Sequence, residues 1–177
     1  TASALLGFLG LPPVRERFEL GDEDLADLRE LIASSGLRWA WDAEDRARHG
    51  QPGLAQNTVR FAIERLAMGV LMPEPEPLEV VHGVVPLPVH SRDRVARFGK
   101  LAAICRALEG TSASLSEPAT TKGWRARLLA VIERFAPVGP KRVAVLERLE
   151  AVLPDQSDAL EFEREAVQRV VEGAFED

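Results

Sequence analysis

Apolar and polar residues alternate with the period of a helix along most of the chain. Ser3 to Leu9 forms a short apolar turn, interrupted by Gly10 and Pro12. Pro13 suits the first position of a second helix, where its missing N–H is no loss. Val14 and Phe18, four apart, mark that helix, which ends near Gly21. Asp22 reads as the N-cap of a third helix with Leu25, Leu28 and Ile32 on one stripe. Gly36 closes it as a left-handed C-terminal glycine. Residues 37–53 carry no helical period and hold Trp39, Trp41, a charged run from Asp42 to Arg48, and Gly50-Gln51-Pro52-Gly53. Helical spacing resumes between Leu54 and Thr58 and runs to Met72, with Val59, Ile63, Leu66 and Val70 on one stripe. Phe61, Met68 and Met72 lie off it, and a helix apolar on more than one side belongs in a core.

Pro73, Pro75 and Pro77 exclude a helix and favour extended backbone. Leu78 to Val85 suits a short strand, stopped by Pro86 and Pro88. Ser91 then caps a helix with Val95, Phe98, Ala102, Cys105 and Leu108 on its stripe, ending at Gly110 before a small-residue loop from Thr111 to Glu117. Trp124, Leu128, Ile132 and Phe135 mark the next helix; Val143, Leu146, Leu149 and Leu153 another; Leu160, Val167, Val170 and Ala174 the last. The expected fold is all-α, about six to seven helices in two halves with at most a short strand. The halves are residues 1–72 and 91–177, joined by a Pro-rich connector at 73–90, within one compact domain of a larger chain.

Composition narrows the class without naming a chemistry. Of the 177 residues, 46% are hydrophobic and 28% charged, which fits a globular protein and argues against disorder. Cys105 is the one cysteine, so neither an intrachain disulfide nor a cysteine zinc cage can form. No apolar run approaches the roughly 20 residues of a membrane span, which leads to the expectation of a cytoplasmic protein with no membrane contact. The chain begins at Thr1 rather than Met, which reads as a mature chain or a piece of a larger one. The net charge of −6 hides a pattern. Residues 1–91 carry 8 basic and 14 acidic side chains, residues 92–148 carry 12 and 5, and residues 149–177 carry 2 and 9. The plain expectation is that acidic and basic helices pair inside one fold. The alternative is a local DNA-facing patch: Arg92, Arg94, Arg97, Arg125 and Arg127 along one concave face would favour it, and interleaving with Glu161, Glu163 and Glu165 would oppose it.

Catalytic signatures are missing from the sequence. It has no G-x-x-x-x-G-K-[ST] phosphate loop and no G-x-G-x-x-G fingerprint. His49, His82 and His90 lack the i, i+4 spacing of a zinc protease site. Cys105 sits on an apolar stripe as a small hydrophobe. Ser112, Ser114 and Ser116 have no nucleophile-elbow setting. The expectation is no catalytic residue, no cofactor and no metal in this segment. A small enzyme gathering His82 or His90 with carboxylates is the weakest reading.

Two stretches are richer than a plain helical fold requires: Ser35-Gly36-Leu37-Arg38-Trp39 with Asp42, and Gln56-Asn57-Thr58-Val59-Arg60-Phe61. Arginines beside aromatics hold nucleic acid by phosphate pairing and base stacking. Taken alone, the residues favour a structural role, with Trp39 covering a loop and Arg38 or Arg60 pairing with Asp42. Across Pro13 to Met72 the sequence resembles the gamma subunit of exodeoxyribonuclease V, the RecC family. The resemblance is carried by Arg17-Phe18, Asp24-Leu25, Leu28-Arg29, the 35–39 run with Asp42, Pro52, Gln56, Thr58, Arg60-Phe61, Leu66, Gly69 and Met72. It departs at Ala40, where the family usually has glycine, and thins beyond Met72 to Glu117-Pro118 and Trp124. The resemblance implies an internal fragment similar to the helicase-like 2B domain region, without catalysis of its own. It also implies a place in an ATP-dependent helicase-nuclease complex for DNA double-strand-break repair and recombination. There the segment would act as a scaffold and DNA guide beside RecB-like and RecD-like subunits, with DNA met through the complex. Arg38, Trp39 and Arg60 are the candidate DNA or interface residues. The rival reading is a generic helical protein–protein interaction module with no DNA role.

Overall fold

The computed structural model describes residues 1–72, 80–154 and 160–175. Among them are nine helices and two isolated bridges. The helices are α1 (Ala2–Leu9), α2 (Pro12–Arg17), α3 (Asp22–Ser35), α4 (Ala43–Arg48), α5 (Val59–Leu71), α6 (Arg92–Ser114), α7 (Thr121–Phe135), α8 (Pro140–Val152) and α9 (Arg164–Phe175). The all-helical expectation holds. The count exceeds the expected six to seven, and one reason is α4, which lies inside the stretch read as irregular. Two compact units divide the chain, Thr1–Arg106 and Ala107–Asp177, and the division falls inside α6.

In the first unit α1 packs on α2 and α3, and α3 packs on α5. Leu9, Leu28, Leu66, Leu101 and Ile104 are fully buried. The cap of α3 is Gly21, one residue before the expected Asp22; the Asp24 carboxylate accepts the Gly21 N–H at 3.1 Å. Gly36 ends α3 in the left-handed region, φ 79°, as its sequence position requires. Thr58, completely buried, caps α5 by accepting the Phe61 N–H at 3.3 Å.

The buried face of α5 is Ala62, Leu66 and Gly69, while Val59, Ile63 and Val70 are half-buried. This shifts the stripe expected from side-chain size alone, because the backbone of Leu87 and Pro88 lies against Gly69. The Leu87 N–H donates to the Arg65 carbonyl at 2.9 Å, and Arg65 Nε donates to the Val85 carbonyl at 3.0 Å. Val84, Pro86 and Val89 are buried along this segment. The expected short strand is here a turn: Val81 and Val84 form an isolated bridge around His82 (φ 50°) and Gly83 (φ 79°). Positive φ at both central residues tightens the reversal. The three prolines at 73, 75 and 77, and Leu78, lie outside the described residues.

Ser91 caps α6 as expected, accepting the Arg94 N–H at 3.1 Å. The helix then continues through Gly110 to Ser114, where a loop was expected. Thr111 is buried; its hydroxyl donates to the Ala107 carbonyl at 2.8 Å and accepts from Arg134 Nη1 at 2.7 Å. That pairing makes a helical position of a residue whose type favours loops.

The basic start of α6 meets the acidic face of α3. Arg94 pairs with Glu30 at 2.6 Å, and Lys100 pairs with Asp24 at 3.0 Å. Arg97 reaches Asp24 at 2.8 Å, Glu23 at 3.5 Å and also Asp27. Hydrogen bonding from Arg97 outweighs the opposing desolvation and, with Lys100 and the Gly21 N–H, lowers the Asp24 pKa from 3.8 to about 2.

In the second unit α8 packs on α7 and α9. Its core is Ala119, Trp124, Leu149, Leu153 and Val167. Trp124 is 2% exposed, and its indole N–H donates to the Phe162 carbonyl at 2.7 Å. Ala119 and Phe162 bridge in antiparallel sense and pin the lead-in to α9. Leu160 precedes α9 rather than lying on it and is 69% exposed; Val143 and Val170 are about half exposed. Arg125 pairs with Glu150 of α8, and Arg127 donates to the Glu117 carbonyl and lies over the Trp124 ring.

Candidate functional site

Three left-handed residues shape the region that holds Arg38, Trp39 and Arg60: Gly36 (φ 79°), Ala40 (φ 67°) and Asn57 (φ 67°). Glycine tolerates this conformation freely and asparagine often, but alanine is strained in it. After Gly36 the chain drives Leu37 into the core at 3% exposure. The N–H groups of Arg38 and Trp39 both donate to the Asn57 carbonyl, at 2.9 and 3.3 Å. The Arg38 carbonyl accepts the Ala2 N–H at 2.8 Å. Beyond Ala40, the Val59 N–H donates to the Ala40 carbonyl at 3.0 Å and the Arg60 N–H to the Trp41 carbonyl at 2.9 Å. Backbone bonding thus joins residues 38–41 to residues 57–60, and the two stretches singled out in the sequence form one feature.

α4 completes it. Asp42 caps α4 by accepting the Asp45 N–H at 2.9 Å, and the Asp45 carboxylate accepts the Trp41 N–H at 3.0 Å. Arg46 Nη1 donates to the Gln56 carbonyl at 2.9 Å, and its guanidinium carbon lies 5.5 Å from the centre of the Trp39 ring. His49 meets the same ring edge-on, 6.1 Å between centroids. Sequence reading missed Arg46 and His49. The signal was the Asp42–Asp45 spacing, which allows an N-cap and its returning carboxylate.

The three candidates differ in what they offer. Trp39 is half-buried and already in contact with a cation and an imidazole, so its ring is a poor free platform for a base. Arg38 is exposed; its Nη1 donates to the neighbouring Leu37 carbonyl at 3.3 Å. Arg60 is 59% exposed along its side chain and stands 3.6 Å from Asp42. That pair realises the structural role foreseen for Arg60, yet at this exposure it contributes about 0–1 kcal/mol. Exposed guanidinium groups are able to pair with phosphate or carboxylate. Among the described residues no group of His, Cys, Asp and Glu could hold a metal ion, and no helix is long and apolar enough to cross a membrane.

Several arginines of the basic segment are paired within their own unit. Arg94 and Arg97 pair with the acids of α3, and Arg125 with Glu150 of α8. Each of these pairs lies within one unit.

Comparison with known proteins matches residues 1–176 to the family model of the RecBCD enzyme subunit RecC fourth domain. The chain is 32% identical over 124 residues to the RecBCD enzyme subunit RecC of Mycobacterium tuberculosis, covering 70% of this chain and 11% of that one. It is 32% identical over 136 residues to RecC of Mycolicibacterium smegmatis, 77% of this chain and 12% of that one. With RecC of Escherichia coli it shares 32% over 68 residues, 38% of this chain and 6% of that one. The chain therefore spans about a tenth of the length of the mycobacterial relatives.

Proposed function

Because the chain belongs to the RecC family, matching the fourth domain of that RecBCD subunit across residues 1–176, we propose that it serves as a non-catalytic helical domain of a RecC-like subunit in a cytoplasmic helicase-nuclease complex. In this reading it corresponds to the helicase-like 2B region and scaffolds RecB-like and RecD-like partners during double-strand-break repair and recombination. The observation that carries the reading is the family match over nearly the whole chain. A DNA-guiding role rests on less: the exposed arginines Arg38 and Arg60, held on one rigid backbone feature. Their contacts would be to phosphate, since Trp39 is engaged by Arg46 and His49.

The test is fluorescence anisotropy of the chain with forked duplex DNA over a salt series. Each phosphate contact contributes about −0.9 to the log–log salt slope. Arg38→Ala and Arg60→Ala should each weaken binding and flatten the slope by about 1. Absence of binding at low salt removes the guide role. Failure to co-purify with RecB-like and RecD-like subunits removes the scaffold role and favours a generic interaction module.

A further inference from the structure

One residue of α4 touches both of the stretches that carry Arg38 and Arg60. Arg46 is half-buried. Its Nη1 donates to the Gln56 carbonyl at 2.9 Å, and its guanidinium carbon lies 5.5 Å from the centre of the Trp39 ring. The next carbonyl along the chain, that of Asn57, accepts the Arg38 and Trp39 N–H groups. Arg46 therefore holds the peptide group immediately before the one that joins the two stretches. Asn57, between them, is left-handed at φ 67°. A non-glycine residue keeps that conformation where its surroundings impose it.

The Arg46 Nε is buried and has no hydrogen-bond partner among the described residues. What lies against the guanidinium is the Trp39 ring, and an aromatic face attracts a cation. Lysine cannot make both contacts, because its ammonium is a point charge without a planar fork that donates at one edge while its face stacks. α4 also sets Arg60: the Asp42 carboxylate accepts the Asp45 N–H through Oδ1 at 2.9 Å and stands 3.6 Å from Arg60 Nη2 through Oδ2. We propose that Arg46 is the positioning residue of this feature. It pins α4 across the Trp39 ring and the Gln56 carbonyl, and so presents Arg38 and Arg60 to a nucleic-acid backbone at one fixed spacing without touching the nucleic acid. The role rests on the DNA-guiding reading above. Preorganised arginines bind more tightly because less of their freedom is lost on contact.

The test compares Arg46→Ala and Arg46→Lys with the parent chain, by anisotropy on forked duplex DNA over a salt series and by amide hydrogen exchange. Both variants should bind at least about fivefold more weakly. Both should keep the parent's salt slope, because the two phosphate-pairing arginines remain. Without DNA, the Arg38 and Trp39 amides should exchange faster in Arg46→Ala, while the Leu87 amide, bonded to the Arg65 carbonyl, keeps the parent's rate. A slope flattened by about 1 would make Arg46 a phosphate contact in its own right and overturn the proposal. Parent affinity in Arg46→Lys would overturn it too, since charge alone would then suffice. So would unchanged affinity in Arg46→Ala, unchanged exchange at Arg38 and Trp39, or unfolding of either variant at the assay temperature. If the parent itself does not bind DNA, the DNA-guiding reading fails and the positioning role falls with it; binding by the parent with an indifferent Arg46 overturns the positioning role alone.

Discussion

Replacing Gly69 by alanine isolates one close approach. A Cβ built at this position stands 1.7 Å from the Leu87 carbonyl oxygen, 2.4 Å from the Leu87 carbonyl carbon and 3.0 Å from Pro88 N. All three are backbone atoms, so no side-chain rotation relieves the clash. Ordinary contact at about 3.4–4 Å requires α5 and the 85–88 segment to separate by roughly 2 Å, and packed interiors do not yield that distance freely. Separation breaks the Leu87–Arg65 and Arg65–Val85 hydrogen bonds and lifts Val84 and Val89 from burial at 7% and 3% exposure. Overpacking costs about 1–3 kcal/mol and each hydrogen bond about 1 kcal/mol. Against these, alanine gains about 1 kcal/mol over glycine as a helix former. The expected net loss is about 2–4 kcal/mol.

The assay is urea and thermal unfolding of Gly69→Ala beside Gly99→Ala. Gly99 lies on α6, and its added Cβ meets nothing within 4 Å. The same substitution should there stabilise by about 0.5–1 kcal/mol. Gly69→Ala should lower Tm by about 4–16 °C, at about 2–4 °C per kcal/mol for a chain of this size. If Gly69→Ala unfolds at or above the parent's midpoint, the close packing of residues 85–88 on α5 is refuted.

Ala40→Gly should stabilise the chain by about 0.5 kcal/mol, because relief of the left-handed strain exceeds the entropy that glycine loses on folding; denaturant midpoints check it. Asp24→Asn should flatten the acid limb of the stability curve. The folded-state pKa of Asp24, about 2, lies below its unbound value of 3.8, so its contribution is complete above about pH 4 and lost as pH falls from 3.8 through about 2. With solvent screening discounted, about 1 kcal/mol is at stake, read by unfolding from pH 7 to pH 2. Arg60→Ala should change stability by less than about 1 kcal/mol while weakening DNA or partner binding; a collapse of Tm without a separate binding loss would make the residue structural.

The helices were legible wherever apolar spacing and a capping residue agreed. Thr58, Ser91 and Gly36 each stand at the boundary their chemistry marks. α4 was missed because it buries no side chain, so it leaves no apolar period, and only the Asp42–Asp45 spacing betrays it. Leu66 was read correctly as core. Gly69 was not, since a glycine buried by close backbone approach carries no hydrophobic signal. Gly110 misled in the opposite sense: a buried threonine hydroxyl, paired with an arginine of α7, carries the helix past it. Such long-range partners are invisible to a local reading.

The same limit governs the candidate site. Sequence singled out the two stretches that the backbone joins, because Arg–Trp and Arg–Phe pairs are conspicuous. It could not show that Trp39 is engaged by Arg46, nor choose between Arg38 and Arg60 as the partner of Asp42. Nor could it show which basic residues of α6, namely Arg94, Arg97 and Lys100, pair with α3. Those pairings separate two meanings of positive charge. Arg94, Arg97 and Lys100 sit among carboxylates within hydrogen-bond reach, so bringing DNA to them would require breaking several ion pairs at once. Arg38 is exposed and donates to a neighbouring carbonyl, and Arg60 lies at the surface 3.6 Å from Asp42. On the proposed reading, a phosphate contact is sought at Arg38 and Arg60 before Arg94, Arg97 and Lys100, and the salt series on Arg38→Ala and Arg60→Ala tests that order.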